Sequence, residues 1–168
     1  MNVPPPSQIL PPTPLCRYDA ATWHTANAIA SASDAPPVFV YKFTEKVPQN
    51  AIPCEPCSAW HGCDTTFWNA EEPIRPKCCA AHAHPRPAAT ELGRSMAQYL
   101  ETFCRNGDPN SPGLPAWEAH SLSRPGRYME LGRSIGMRSL EPSDAERHTF
   151  FSKEFFGKRL KAELLRAK

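Results

Sequence analysis

A chain of 168 residues with 40% hydrophobic and 21% charged side chains has the size of one domain and enough apolar material for a core. Its net charge of +2, from both signs scattered along the sequence, excludes the basic footprint of a nucleic-acid or membrane-surface binder. No apolar run approaches the roughly 20 residues of a membrane span, and Met1-Asn2-Val3-Pro4-Pro5-Pro6 has neither the basic nor the apolar segment of a signal peptide. Taken literally, that start implies a cytosolic chain.

Twenty prolines, far above the usual share of about 5%, predict long irregular stretches between few regular elements. Residues 1–18 read as a Pro-rich disordered tail. Asp19 then caps a predicted helix to about Ala32, with Trp23, Ala26, Ile29 and Ala30 at helical spacing. Val38-Phe39-Val40-Tyr41-Lys42-Phe43 is the strongest strand signal: β-branched, aromatic and apolar at nearly every position. Such a run suits a strand covered on both faces, as in a mostly parallel sheet. A Pro-bearing loop over 44–60 comes next, then a short helix or turn over Asp64–Trp68 and a second loop over 71–89. Thr90 caps an amphipathic helix to about Arg105, with Leu92, Met96, Tyr99, Leu100 and Phe103 on one face and Asn106-Gly107 as its stop. Arg127–Leu131 and Gly136–Arg138 read as two short strands joined by a turn. Ser143 caps a final helix over about 144–166, broken at Gly157.

Four segments stand out in order: Pro37–Phe43, Ser58–Phe67, Met96–Asn110, and Leu114–Trp117 with Tyr128–Leu131. Together they resemble the type-B carboxylesterase family. Pro37–Phe43 is similar to its late sheet strand, V-Y-x-Y-x-F. Ser58-Ala59-Trp60-His61-Gly62-Cys63-Asp64-Thr65-Thr66-Phe67 is similar to the loop G-A-x-H-G-x-E-L-x-x-V-F that carries the catalytic histidine. Met96–Asn110, ending Phe103-Cys104-Arg105-Asn106-Gly107-Asp108-Pro109-Asn110, resembles M-x-x-Y-W-x-x-F-A-x-x-G-D-P-N. Leu114-Pro115-Ala116-Trp117, then Tyr128-Met129-Glu130-Leu131, resemble the segments W-P-x-Y and Y-L-x-L near the family's end. Ser58 and Asp64 depart from the family's glycine and glutamate, and Thr65 and Thr66 weaken an apolar stretch.

The resemblance implies an α/β chain: a partial α/β-hydrolase fold, its C-terminal portion over residues 19–168. It comprises a helix, one late sheet strand, the catalytic-histidine loop, helices and a short hairpin. It implies a carboxylic-ester hydrolase lineage with small-molecule ester substrates, no cofactor and no metal. It sets no oligomeric state, and complete relatives are often secreted. His61 maps to the general base and acid of a Ser–acid–His triad, whose chain order in this fold puts the serine and the acid before the histidine. The 60 residues before His61 contain no Gly-x-Ser-x-Gly and no Gly-rich oxyanion loop. A chain with only the histidine of a triad is expected to be inactive alone, and to leave apolar surface bare around Val38, Phe39, Val40 and Tyr41.

Two patterns compete with this reading. Gly132-Arg133-Ser134-Ile135-Gly136 matches Gly-x-Ser-x-Gly, but a nucleophile elbow needs a buried strand before it and a long helix after it. Pro142 breaks any such helix, so a hairpin turn is expected. Cys54-Glu55-Pro56-Cys57 with Cys63, Cys78, Cys79, His82 and His84 is the raw material of a zinc site, at loose spacing. The alternative function is therefore a non-catalytic interaction or zinc-binding protein using loop 54–84. Seven cysteines leave at least one thiol outside any intramolecular disulfide scheme.

Overall fold

The computed structural model describes residues 14–45, 59, 62–69 and 87–153. They form helix α1 (Pro14–Ala30), strand β1 (Tyr41–Phe43), helix α2 (Thr65–Trp68), helix α3 (Pro87–Asn106), strands β2 (Arg127–Leu131) and β3 (Ile135–Ser139), and helix α4 (Pro142–Phe151). They fall into two compact units: residues up to 38 with 121–126 and 139 onward, and residues 39–120 with 127–138.

All three long helices begin on a proline, before the polar residue that the sequence offers as a cap. Proline suits a first helical position because its fixed φ is already helical and its missing N–H has no intrahelical partner there. Asp19, Thr90 and Ser143 are thus inside their helices rather than at the caps. Glu141 precedes α4 in extended conformation and makes no side-chain cap bond. Residues 14–18, expected in the tail, are helical.

In the first unit, α1 packs on α4. Ala20, Trp23 and Ala26 are the buried face of α1, three residues apart, and the Trp23 ring lies 6.1 Å from that of His148. Ile29 points outward at 40% exposure. The small alanines let the helices approach while Trp23 supplies the area, worth about 1.5–3 kcal/mol for a large apolar side chain.

The second unit holds a three-stranded sheet in the order β1-β2-β3. β1 and β2 are parallel, with Tyr41 opposite Met129 and Phe43 opposite Leu131. β2 and β3 are joined by only Gly132–Ser134, which makes them a hairpin. The hairpin therefore builds onto the late strand, which the sequence alone leaves without a neighbour. Pairing covers Tyr41–Phe43 rather than the whole run from Val38. The same register sets Phe39 opposite Arg127, where β2 begins, and Gly126 turns the chain away just before it with φ +80°. Val40 still contributes its carbonyl, which accepts from the Met129 N–H at 2.9 Å.

The core of this unit joins Cys63, Phe67, Leu92, Met96, Tyr99, Trp117, Met129 and Leu131. Val40 is buried and Val38 and Phe39 are half-buried, so the bare apolar surface expected along this strand is confined to Tyr41. Helix α3 supplies Leu92, Met96 and Tyr99 at helical spacing, and Gly107 ends it at φ +72° with its N–H on the Phe103 carbonyl at 2.8 Å.

Candidate functional site

The histidine loop returns to described chain one residue after His61. His61 itself, with Ser58 and Trp60, lies outside the described residues, as do Cys54, Cys57, Cys78, Cys79, His82 and His84. The turn immediately after His61 is held at several points. Gly62 takes φ +83°, a left-handed conformation that a side chain would strain. Its carbonyl accepts from the Thr65 hydroxyl at 2.8 Å and from the Thr65 N–H at 3.3 Å. Cys63 turns into the core. One turn of helix later Phe67 is buried against Phe43, ring centroids 5.0 Å apart and tilted edge to face. Thr65 and Thr66, which look like a weakness in the motif, lie on the less buried side of α2 and bond back to the turn.

Asp64 ties this turn to the sheet. The Tyr41 hydroxyl donates to Asp64 Oδ2 at 2.8 Å, and the Trp68 indole N–H donates to the Tyr41 hydroxyl at 3.3 Å. The Tyr41 and Trp68 rings meet edge to face at 5.2 Å. Burial, helped by the Asp64 carboxylate, pushes the Tyr41 phenol up to about 12. Asp64, which stands where the family has glutamate, thus serves as an anchor to β1. No motif marks Tyr41 as its partner, although a hydroxyl in an apolar strand and a carboxylate in an apolar turn are a signal that each needs one.

The strand is fixed a second time, at Val40 just before β1, through the Gly107-Asp108-Pro109-Asn110 motif. Asp108 Oδ1 accepts from the Asn110 N–H at 2.8 Å and from its side-chain amide at 2.7 Å, as an aspartate in a tight turn does. Oriented in this way, the Asn110 amide donates to the Trp117 carbonyl at 3.0 Å and accepts from the Trp117 N–H at 2.6 Å. The Trp117 indole then donates to the Val40 carbonyl at 3.2 Å. Tyr99 closes the same strap by donating to the Pro115 carbonyl at 2.6 Å, and burial pushes its phenol up to about 12. The motif is a clamp that holds a tryptophan on the strand before the histidine loop.

Ser134, the competing nucleophile, sits in the exposed β2–β3 turn. Its hydroxyl is within 3.4 Å of Glu130 Oε2 and accepts from Arg138 at 3.2 Å, and Arg138 also pairs with Glu130 at 2.9 Å. No helix starts after it; β3 does. Gly132 has a packing reason to be glycine, since a Cβ there would collide with the Thr44 side chain. Burial holds the His120 imidazole below its ordinary range, at a position to which no motif assigns a role. Among the described residues no group of three or more His, Cys, Asp or Glu could hold a metal, and no helix is long and apolar enough to cross a membrane.

The model of the carboxylesterase family matches residues 17–148. The chain belongs to that family. Carboxylesterase 5A from dog is 42% identical over 50 residues, and the human protein of that name is 39% identical over 51. Pyrethroid hydrolase Ces2a from mouse is 39% identical over 56 residues. Each match covers 30% of this chain but only about a tenth of the relative: 9%, 9% and 10%. Two structures of PNB esterase superpose with TM-scores of 0.56 and 0.52 at 18% and 21% identity, over 74% and 75% of this chain and 24% of theirs. They share the α/β-hydrolase fold, and this family member spans about a quarter of it.

Proposed function

We propose that residues 19–168 are the C-terminal part of a carboxylic-ester hydrolase and that His61 is its catalytic histidine. One observation carries this reading. The turn that begins at Gly62 is pinned to the late strand through Asp64, Tyr41 and Trp68, within the stretch that matches the carboxylesterase family. A histidine that shuttles a proton needs its backbone held to a fraction of an ångström, because a misplacement of about 1 Å costs about 100-fold in rate. Here the residue next to it adopts a conformation suited to glycine, and residues 63–68 are tied to strand and core.

The chemistry is that of acyl transfer. The imidazole accepts the proton of a serine hydroxyl as it attacks the ester carbonyl, then returns it to the departing alcohol. Small-molecule esters are the substrate class that family membership supports. The serine, the acid and the oxyanion donors are not identifiable in these 168 residues, because the one Gly-x-Ser-x-Gly is a hairpin turn. The purified chain is therefore expected to hydrolyse a short-chain nitrophenyl ester no faster than buffer. Turnover that vanishes in His61→Ala would overturn the inactivity and keep the histidine. Turnover that survives His61→Ala would remove His61 from the mechanism.

A further inference from the structure

Of the six asparagines in the chain, only Asn106 is followed by glycine. An asparagine loses its side-chain amide when the backbone nitrogen of the next residue attacks its Cγ, and a side chain on that next residue obstructs the approach. Gly107 has none, and nothing lies within 4 Å of where a Cβ would stand. Both residues are exposed. They close α3, with Asn106 its last residue and Gly107 at φ +72°. Two features restrain the reaction in the folded chain. The Gly107 N–H donates to the Phe103 carbonyl at 2.8 Å, the bond of a left-handed helix stop, so the attacking nitrogen is engaged. Asn106 is helical, and closing a five-membered ring needs its ψ rotated away from the helical value. Helix ends open at low cost, so this protection is partial. Asn110 is the contrast within the same turn. It precedes Ser111, and its amide is held at both ends, donating to Asp108 and to the Trp117 carbonyl and accepting from the Trp117 N–H.

We propose that Asn106–Gly107 is a self-deamidation site gated by the cap of α3, and that its isoaspartyl product loosens the Asp108–Asn110 clamp on Trp117. The only co-reactant is water. The Gly107 nitrogen gives up its proton and bonds to Asn106 Cγ. The Cγ–Nδ2 bond breaks, and ammonia leaves carrying a proton from solvent in exchange. Water then opens the cyclic imide. Cleavage at the Cγ carbonyl leaves aspartate. Cleavage at the main-chain carbonyl leaves isoaspartate, with the backbone rerouted through the side chain and longer by one methylene. That methylene enters just before Asp108, whose carboxylate orients Asn110 on Trp117. Either product also sets a negative charge at the C-terminus of a helix, where it is unfavourable. The inference is independent of the role of His61.

The test incubates the purified full chain at mildly alkaline pH, folded by circular dichroism or unfolded in guanidinium chloride. Peptide mass spectrometry with isoaspartate-specific methylation reads the products. Aspartate and isoaspartate are expected at position 106 before any change at Asn110, about tenfold or more faster in the unfolded chain. Equal rates in the two states overturn the cap as gate. Earlier change at Asn110, or aspartate at position 106 without isoaspartate, overturns the site. Gly107→Ala in guanidinium chloride, where the cap plays no part, should slow the reaction severalfold, and an unchanged rate overturns the backbone attack. Amide exchange at Trp117 should rise in the isoaspartyl chain and stay near wild type in Asn106→Asp, which carries the charge without the methylene. Unchanged exchange in the isoaspartyl chain overturns the effect on the clamp, and an equal rise in Asn106→Asp overturns the lengthened backbone as its cause.

Discussion

Helix α3 has two apolar faces that the sequence presents as one. Leu92, Met96 and Tyr99 are buried in the core of their unit, while Leu100 and Phe103, assigned to the same face by spacing, are exposed along a groove. Helical periodicity places Leu100 and Phe103 within an apolar stripe of ordinary width. It does not say whether the atoms to cover all of that stripe are present. The inner half meets Trp117, Met129 and Leu131 of the same chain, and the outer half faces a groove lined by Phe39, Tyr41, Trp68 and Trp117. The difference separates apolar residues packed in the core of this unit from apolar residues left at its surface.

The two halves should respond differently to truncation. Met96→Ala removes fully buried side-chain volume and should cost about 2–5 kcal/mol, seen as a lower urea midpoint. A loss under about 0.5 kcal/mol would mean that the inner half is not the core. Asn110→Ala strips both bonds from the Trp117 backbone and should cost about 2 kcal/mol. It should also raise amide exchange at Trp117 and along β1, if the clamp is what seats that strand. Tyr99→Phe keeps the ring and drops only its hydrogen bond to the Pro115 carbonyl, a change of about 1 kcal/mol. Leu100→Ser should stay within about 0.5 kcal/mol, as surface substitutions do, despite lying on the same helix. If it costs as much as Met96→Ala, the contrast between the halves is broken.

A base titration sharpens the same contrast. Both the Tyr41 and Tyr99 phenols are pushed up to about 12, against an ordinary value near 10. A phenol raised in the folded state favours its protonated form there, so its contribution to stability is complete below about pH 10. It is lost as the pH climbs from about 10 to about 12. Tyrosinate absorbance should show the Tyr41 and Tyr99 phenols ionising late, together with unfolding. In Tyr99→Phe one fewer phenol should ionise late.

Much of the second unit was legible because its signals are local. The strand at Tyr41–Phe43, the single turn of helix after Asp64, the left-handed stop at Gly107 and the hairpin around Ser134 each arise from a short run of residues. The helix starts differ from expectation for one consistent reason. Asp19, Thr90 and Ser143 are good caps by type, but a proline a few residues earlier already fits the first helical turn. The connections that build the candidate site were not legible, because their partners lie far apart in the chain. Tyr41 reaches Asp64 across 23 residues, and Trp117 reaches Val40 across 77. Each pair consists of a polar atom in an apolar segment, which says that a partner is needed and not which one.

By itself, the sequence determined the lineage and the chemistry that lineage can carry. Ser58–Phe67 and Gly107-Asp108-Pro109-Asn110 are patterns of residue type, and residue type sets whether a proton can be shuttled or a backbone clamped. Tertiary structure alone decided that the hairpin adds to the late strand, that Asp64 is an anchor for Tyr41, and that one stripe of α3 divides into core and groove. The physical reason is that burial and pairing belong to surfaces that meet in space. An apolar residue announces that it wants cover, and only the folded chain shows which of them receive it.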